Sequence, residues 1–256
     1  MLKVDRHKFI QEQLQEKGSI MVSALSFELN VTEETIRRDL EELEQQEKLK
    51  RVRGGAYLPQ EFDKEVPIQI RENIYTTEKE LIAKKAMEFI SPNDTIMLDS
   101  STTAYHIALK IKEARIKVTI ITNSLKISQL AETATGIKLV CTGGVLRQSS
   151  NSFVGYSATD SLSQYFADKA FVSCSTLCLK QGMTDNSSRE GALRKIMLEN
   201  AQENYLIVDY TKFDAPSLYK IADLAEVETI ITDKPLNKLT TTTLSNQNIK
   251  VVIATE

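Results

Sequence analysis

The residues with the clearest chemical potential lie in the first quarter of the chain, on a predicted helix that carries two adjacent arginines. At about 100° per residue, Arg38 lies roughly 200° from the apolar Ile36 and faces away from the core, whereas Arg37 lies on the flank. One of the two arginines could contact phosphate while the other reaches the edges of bases, and either arginine could take either role. Thr32 and Thr35 could add hydroxyl contacts near the start of the helix, where recognition helices approach bases.

A short basic hairpin is predicted to follow this helix and to turn at Gly54-Gly55. Arg51 and Arg53 alternate along one strand, so we expect both side chains on one face, in contact with phosphates. A helical interaction module with a solvated charged face is the alternative, because residues 1–57 hold slightly more acidic than basic side chains. Binding to phosphates requires the acidic residues of the third predicted helix to face away from them. Those residues are Glu41, Glu42, Glu44 and Glu47.

A hydroxyl-rich segment between a predicted strand, residues 95–99, and a predicted helix indicates a second kind of site. Backbone N–H groups and hydroxyl donors at a helix N-terminus form an anion site that suits phosphate. An ordinary serine or threonine helix cap is the alternative. The residues of the segment are Ser100, Ser101, Thr102 and Thr103.

Polar clusters also follow other predicted strands. Ligands of open parallel sheets bind beyond the carboxyl ends of the strands, so we expect the clusters to converge on one crevice. Asp99, Asn123 and Glu190 could take sugar hydroxyl groups, and Arg147 and Lys212 could offer charge to a phosphate. The alternative for each is a water-exposed loop residue, and for Glu190 a solvated helix face. The other members of the clusters are Thr122, Ser124, Gly143 and Gly144.

Short β-branched segments alternate with helical ones through most of the chain, which predicts an α/β fold with an open, mostly parallel sheet and helices on both sides. The predicted strands are residues 95–99, 118–122, 137–141, 170–174, 205–209, 229–232 and 251–253.

The first 57 residues are predicted to form a separate unit of three helices and a hairpin, a winged helix-turn-helix. Two prolines bound a charged stretch, so residues 58–70 are assigned to a linker and residues 71–256 to the second domain. One helix is expected over residues 68–90.

Composition excludes several classes of protein. At 41% hydrophobic residues the chain can bury a core, and no apolar run reaches the length of a membrane span. The polar N-terminus carries no secretory signal, and three cysteines are an odd number, so we expect reduced thiols and a cytoplasmic protein. A net charge of −3 means that any positive surface must be local.

The first region resembles the helix-turn-helix of the DeoR family of bacterial transcription regulators, which implies operator DNA as a partner. Glu47 stands where the family usually has glycine, so the turn into the hairpin is a place where a difference is expected. Arg53 replaces the usual histidine and keeps a positive charge. The matching residues are Val31-Thr32, Thr35-Ile36-Arg37-Arg38-Asp39-Leu40, Leu43, Leu49 and Gly54-Gly55-Ala56.

From about Arg71 onward, the chain resembles the sensor domain of the same family, which is similar in fold to ribose-5-phosphate isomerase. The resemblance implies a phosphorylated sugar or polyol effector, no cofactor, and Lys79 as a further effector-binding residue. Ser101 stands where the family usually has glycine. The matching residues are Lys79, Leu98-Asp99-Ser100, Thr102-Thr103, Thr122-Asn123-Ser124, Gly143-Gly144, Phe153-Val154-Gly155, Gly182-Met183-Thr184-Asp185 and Asp209-Tyr210-Thr211-Lys212-Phe213.

Catalysis and metal binding find no support in the sequence. His7 and His106 lack a carboxylate or nucleophile at catalytic spacing, and Cys174 and Cys178 lack a second pair of zinc ligands. We therefore expect no enzyme but a homo-oligomeric repressor, a dimer or tetramer, of a sugar-metabolism operon, released from DNA by the effector. The alternatives are a sugar-phosphate isomerase with an appended helical module, and an adaptor whose first domain binds protein.

Overall fold

The computed structural model describes residues 1–58, 66–213 and 215–255, and the chain divides into two compact units, Met1–Thr76 and Thr77–Glu256. Residues 59–65 of the predicted linker lie outside the described residues. The division falls six residues after the predicted end of the linker, because Ile68–Asn73 forms a helix that packs on the first unit.

In its described residues, the first unit combines four helices with a three-stranded antiparallel sheet of order β1-β3-β2. Its elements are α1 (Lys3–Lys17), β1 (Ser19–Met21), α2 (Val22–Leu29), α3 (Glu33–Gln45), β2 (Lys50–Val52), β3 (Gly55–Tyr57) and α4 (Ile68–Asn73). The predicted helices and hairpin are confirmed, but the hairpin turns at Arg53-Gly54 and not at Gly54-Gly55, because Gly55 already pairs with Val52. The sequence analysis missed β1, because three residues between two helices carry no readable alternation.

Apolar side chains from all three predicted helices meet in one small core. Ile36, Leu40 and Leu43, the predicted stripe of α3, are buried against Ile10 and Leu14 of α1. This packing fixes which side of α3 faces the solvent, and therefore which side chains can meet a partner.

The turn after α3 keeps a glycine-like conformation although glutamate occupies it. Glu47 lies beyond the helix, not within it as expected, and has φ +58°. The N–H of Lys48 donates to the carbonyl of Leu43 at 3.0 Å, and the N–H of Glu47 donates to the carbonyl of Glu44 at 2.8 Å. These two bonds define a helix ending that normally places glycine at this position.

The prediction of a single helix over residues 68–90 is wrong. The segment consists of α4, then α5 (Thr76–Ala86), then a short 3-10 turn at Met87–Phe89. Tyr75, between the two helices, has φ +53°, which an α-helix cannot contain.

The second unit is an αβα sandwich. Its further elements are β4 (Thr95–Leu98), α6 (Thr102–Ala114), β5 (Val118–Thr122), α7 (Leu125–Glu132), β6 (Ile137–Cys141), β7 (Val145–Arg147), β8 (Ser152–Val154), α8 (Tyr156–Ser163), β9 (Ala167–Val172), β10 (Thr176–Cys178), β11 (Gly182–Asp185), α9 (Ser188–Glu199), β12 (Ala201–Ile207), β13 (Tyr219–Ala222), β14 (Thr229–Thr232), α10 (Lys238–Asn246) and β15 (Lys250–Ile253).

All seven predicted strands lie in one parallel sheet of order β15-β14-β12-β9-β4-β5-β6. The chain extends the sheet from β4 to β6 and then returns to β9 on the other side of β4. The strand order therefore reverses between β4 and β9, and ligands of open α/β sheets bind at such a reversal. The short antiparallel pairs β7-β8 and β10-β11-β13 were not predicted.

Both faces of this sheet are covered by helices, as predicted. Ile82 of α5 and Ile107 of α6 pack on one face, where Phe171 and Tyr205 stack with ring centroids 4.7 Å apart. Leu193 of α9 belongs to the core on the other face. In the described part of the chain, no helix has both the length and the apolar character to cross a membrane.

We expect Glu47→Gly to stabilise the first unit by about 1 kcal/mol, because glycine adopts a positive φ without the steric cost that glutamate carries. Hydrogen exchange of the α3 amides measures the effect. Glu12→Gly in α1 is the matched control and is expected to destabilise by about 1 kcal/mol. A loss of protection in both variants would contradict the assigned turn.

Candidate functional site

The start of α3 is fixed by the two predicted threonines. The backbone N–H of Thr35 donates to the hydroxyl of Thr32 at 3.2 Å, which caps the helix. The two hydroxyl oxygens lie 2.9 Å apart and share a hydrogen bond. Thr32 is exposed and Thr35 is half-buried beside this helix end, where hydroxyl groups can reach a partner.

Both predicted arginines of α3 reach the solvent and pair with acidic residues of the first turn. The side chain of Arg38 is 75% exposed and that of Arg37 is 54% exposed. Arg37 forms an ion pair with Glu33, and Arg38 pairs with Glu34 at 3.4 Å. Exposed pairs of this kind contribute little to the stability of the fold.

The two arginines of the hairpin have different surroundings. Arg51 lies in β2, and its Nε is 3.4 Å from Oε2 of Glu44. Arg53 lies in the turn beyond β2, and its guanidinium carbon is 4.8 Å from the centre of the Tyr75 ring. The expected alternation along a single strand is therefore not what the structure shows, because β2 ends at Val52.

A groove of about 450 Å³ lies between α3 and the hairpin, and Arg37, Arg51 and Arg53 all line it. Glu44 lines the same groove, so it does not face away as expected. Its charge is offset by Arg51. Three guanidinium groups on one groove form the local positive surface that the net charge of the chain does not reveal.

Asp39 anchors α3 from inside the unit. Its side chain is 3% exposed and accepts two hydrogen bonds from Arg6, at 2.7 Å from Nε and 3.0 Å from Nη2. His7 lies 3.2 Å away. The hydrogen bond that Arg6 donates to the Asp39 carboxylate raises the pKa of Arg6. This bidentate pair fixes the orientation of α3 against α1.

A buried ion network joins the central strands of the second unit. Nε of Arg194, in α9, donates to Oδ2 of Asp99 at 2.7 Å, and its Nη1 donates to Asp185. The backbone N–H groups of Ser101 and Ser173 also donate to Asp99, each at 3.0 Å. Burial lowers the pKa of Arg194, but the two carboxylates raise it by more. Asp99 therefore ties β4 to the end of β9 across the point where the strand order reverses.

Glu190 is not on a solvated helix face, since the residue is only 1% exposed. Its Oε2 accepts hydrogen bonds from Ser100 at 2.8 Å and from Asn123 at 3.5 Å. Its Oε1 accepts from Ser150 at 2.8 Å and from Ser152. The carboxylate thus lies at the meeting point of the loops that follow β4, β5 and β7.

The residues of the predicted anion loop surround the start of α6. The hydroxyl of Ser101 accepts from the N–H of Ala104 at 3.0 Å, which makes Ser101 the helix cap. Thr102 and Thr103 form the first turn and are buried. Backbone N–H groups of a first helical turn have no partner within the helix and favour an anion.

Asn123 differs from its two predicted neighbours. The hydroxyl of Thr122 accepts from the N–H of Ser124 at 3.0 Å, and Ser124 caps α7 by accepting from Ile127 at 3.3 Å. Their side chains therefore hold the loop. Asn123 is 1% exposed, and its Oδ1 is buried with no hydrogen-bond partner recorded within the described residues. A buried amide oxygen of this kind favours a donor from a ligand or from water.

The glycine pair and Arg147 lie at the β7-β8 hairpin, next to Glu190. Gly144 has φ +114°, and an added Cβ would lie 2.9 Å from the carbonyl oxygen of Val154, so its small size is a packing requirement. Gly143 has φ +63° and open space around it. Nη1 of Arg147 donates to Ser150 at 2.9 Å and lies 4.0 Å from Oε1 of Glu190.

The two predicted lysines lie on different elements. Lys212 follows β12, which pairs in parallel with β9, so Lys212 lies at the carboxyl end of the sheet. Lys79 lies in α5, whose Ile82 packs on the same face of the sheet as α6. Burial lowers the pKa of His106 in α6, and the charge of Lys79 lowers it further. Burial raises the pKa of the Cys174 thiol to about 12, against the opposing charges of Lys212 and Arg194. Lys79 is 3% exposed and has an interaction of its own.

The sequence analysis missed the partners that hold these side chains: Arg194, Ser150, Ser152 and Ser173. A buried arginine within a helix carries no signal in the sequence, since Arg194 lies among charged residues that do reach the solvent. In the described ranges, no group of three or more histidine, cysteine, aspartate or glutamate side chains is arranged to hold a metal ion.

Arg6→Ala is expected to destabilise the first unit by about 3 kcal/mol, because it leaves the buried carboxylate of Asp39 without its main partner. Lys3→Ala breaks the exposed pair with Glu42 and is expected to cost under about 1 kcal/mol. Hydrogen exchange of α3 amides compares the two variants. Equal effects would show that Asp39 does not anchor α3.

Glu190→Gln is expected to lower the free energy of unfolding by about 2 kcal/mol, because an amide replaces a carboxylate that accepts from four side chains. Glu199→Gln, on the exposed face of the same helix, changes the charge equally and is expected to stay within about 0.5 kcal/mol of the parent. Urea denaturation measures both. A neutral Glu190→Gln would contradict the buried network.

The chain matches two family models in succession. Residues 6–62 match the DeoR-like helix-turn-helix domain, and residues 74–234 match the DeoR C-terminal sensor domain. Among solved structures it is similar to ribose-5-phosphate isomerase A from Methanocaldococcus jannaschii, with 22% identity, 53% of each chain covered and a TM-score of 0.39. That level of similarity carries no conclusion about this chain.

Several curated proteins are similar over almost the whole chain. An uncharacterised HTH-type transcriptional regulator, YulB of Bacillus subtilis, is 37% identical over 98% of this chain and 96% of its own. A putative aga operon transcriptional repressor of Escherichia coli O157:H7 is 31% identical over 98% and 94%. The lactose phosphotransferase system repressor of Lactococcus lactis is 33% identical over 93% of each. The chain therefore belongs to the DeoR family of transcriptional regulators and carries both a DeoR-like helix-turn-helix domain and a DeoR C-terminal sensor domain.

Proposed function

We propose that this protein represses a sugar-metabolism operon and that a phosphorylated sugar or polyol releases it from its operator. The observation that carries the proposal is the polar site at the reversal of strand order, where Ser100 before α6 and Asn123, whose amide oxygen is buried and unsatisfied, both bond to Glu190. The names of relatives point the same way, since they include repressors of the aga operon and of a lactose phosphotransferase system.

The positive groove of the first unit supports the DNA-binding half of the proposal. Arg37, Arg51 and Arg53 line one groove, and a phosphate backbone provides the charge that such a groove attracts. Thr32, Thr35 and Arg38 lie at the exposed start of α3, the part of a recognition helix that enters the major groove.

The polar site of the second unit supports the effector half. The N–H groups of Thr102 and Thr103, in the first turn of α6, favour the phosphoryl group. The unpartnered oxygen of Asn123 is an acceptor for a sugar hydroxyl. We propose that Lys79 in α5 and Lys212 after β12 add positive charge to this site.

The hydrogen bonds of the two buried carboxylates support a regulatory role without catalysis. Asp99 already accepts from Arg194 and from two backbone N–H groups, and Glu190 already accepts from four side chains. A general base needs a free lone pair within reach of the proton that it removes. We therefore propose that both hold the pocket in shape, and that the protein is not an enzyme.

We further propose a homo-oligomer, a dimer or tetramer, that presents two helix-turn-helix units to two half-sites of operator DNA in the cytoplasm. Exposed apolar side chains on β7 and α8 supply a surface for a second copy: Val145 is 66% exposed and Tyr156 is 83% exposed. The effector prefers an arrangement in which the two units no longer match the half-sites, so DNA affinity falls. This coupling is reciprocal, so operator DNA must weaken effector binding by the same factor.

Binding of the purified protein to its own upstream DNA, at fixed salt, with and without a panel of phosphorylated sugars, tests the proposal. We expect specific binding that one sugar phosphate abolishes. Lys212→Ala is expected to keep DNA binding and to raise the required effector concentration about tenfold, the effect of losing one charged contact. Lys238→Ala, an exposed lysine in α10, is the matched control and should change neither.

Three outcomes would contradict the proposal. Specific binding that no sugar phosphate alters would remove the effector, and equal loss of DNA binding in Lys212→Ala and Arg38→Ala would remove the division between the two units. Interconversion of aldose and ketose phosphates by the chain would favour an isomerase instead.

A further inference from the structure

Arg37 and Arg38 present different edges of their guanidinium groups to neighbouring carboxylates. Nη2 of Arg37 pairs with Oε2 of Glu33, and its Nη1 lies 3.9 Å from Oε2 of Glu34. Both terminal nitrogens of Arg37 therefore face acidic groups of the preceding helical turn.

Arg38 forms its ion pair through Nε, on the opposite edge of the guanidinium group. Its Nε lies 3.4 Å from Oε1 of Glu34, one helical turn earlier. Across the described residues, the hydrogen bonds and ion pairs include no other partner for Arg38, and its side chain is 75% exposed. The terminal pair Nη1 and Nη2 is thus the part of this side chain that remains open to a partner.

Two parallel N–H donors fit one base edge in particular. The major-groove edge of guanine presents N7 and O6 as adjacent acceptors, and an arginine fork binds both at once. Glutamate placed four residues before a cation is the favourable order on a helix, so Glu34 restricts the orientations of Arg38 before DNA arrives. Restriction of a long side chain in advance lowers the entropy lost on binding.

We propose that Arg38 reads one guanine of the operator through Nη1 and Nη2, and that Glu34 positions it for this contact. This inference rests on the proposed DNA-binding function and decides between the two arginines. Arg37 lines the groove with Arg51 and Arg53 and contacts the phosphate backbone.

The assignment predicts an unusual signature for Glu34. Its carboxylate lies near the DNA phosphates in the complex and repels them, so its removal strengthens binding to any DNA. Its removal also frees Arg38 to rotate, so discrimination of the guanine weakens. A residue with a merely structural role would not raise affinity for arbitrary DNA while it lowers discrimination for a single base.

The probe is the tightest-binding duplex that the full chain selects from a pool of randomised duplexes. In that duplex each guanine is replaced in turn by 7-deazaguanine, which lacks the N7 acceptor and keeps the Watson–Crick edge. For the parent protein, one replacement in each half-site is expected to weaken binding about tenfold, as the loss of part of a bidentate contact.

Four variants locate the contact. Arg38→Ala and Arg38→Lys are expected to bind the normal duplex more weakly and to show no further loss at that position. Arg37→Ala is expected to weaken binding to all duplexes and to keep the tenfold sensitivity. Glu34→Ala is expected to reduce the sensitivity to about threefold, half of the contact on a logarithmic scale, and to bind arbitrary DNA more tightly. Glu12→Ala, on the exposed side of α1, is the matched control and should behave like the parent.

The outcomes separate this inference from the proposed function. If the parent selects no duplex, the DNA-binding function itself fails. If the parent binds its duplex and the sensitivity is absent, persists in Arg38→Ala, or disappears in Arg37→Ala, the guanine contact of Arg38 is refuted while the function stands. If Glu34→Ala keeps the full sensitivity, its positioning role is refuted.

Discussion

The second unit depends on one buried cation. Arg194 is a charged side chain in an apolar interior, and such a group is tolerated only when carboxylates neutralise it. Asp99 and Asp185 do so from two different strands, while backbone N–H groups after β4 and β9 complete the shell of Asp99. The strands on either side of the reversal are therefore fixed relative to α9. Because α9 also carries Glu190, the ion pairs that fix α9 also fix the Glu190 carboxylate and the loops that bond to it.

The predicted site residues of the second unit fall into two groups, those that hold the loops in place and those with polar groups open to a ligand. Asp99, Ser101, Thr122 and Ser124 use their side chains on backbone N–H groups, so they shape the loops. The side-chain oxygen of Asn123 has no hydrogen-bond partner among the described residues. The backbone N–H groups in the first turn of α6 have no partner within the helix. Residue type and position after a strand indicated Ser100 and Asn123, which both bond to Glu190. Residue type and position could not separate the residues that fix the loops from the residues that bind a ligand, because that difference depends on partners distant in sequence.

The regularity of each element decided how well the sequence analysis performed. Parallel strands in a sheet covered on both faces are largely apolar runs, and all seven were found, including the partly buried edge strands β6 and β15. The three-residue strand β1 and the break at Tyr75 leave no such run. Glu190 shows the limit most clearly: the sequence left a role in sugar binding and a solvated helix face as alternatives, whereas serines 38 and 40 residues away bond to its buried carboxylate. Burial by distant chain segments has no local pattern.

The bond between Arg6 and Asp39 has a consequence for protein engineering. The orientation of α3 is set from α1, through a carboxylate inside the motif and an arginine 33 residues earlier. A recognition helix transplanted alone into another scaffold would carry its exposed arginines but not the residue that aims them. In this architecture the transferable unit of sequence preference is the pair α1 and α3, and libraries that vary only the exposed face of α3 sample side chains within one fixed docking angle.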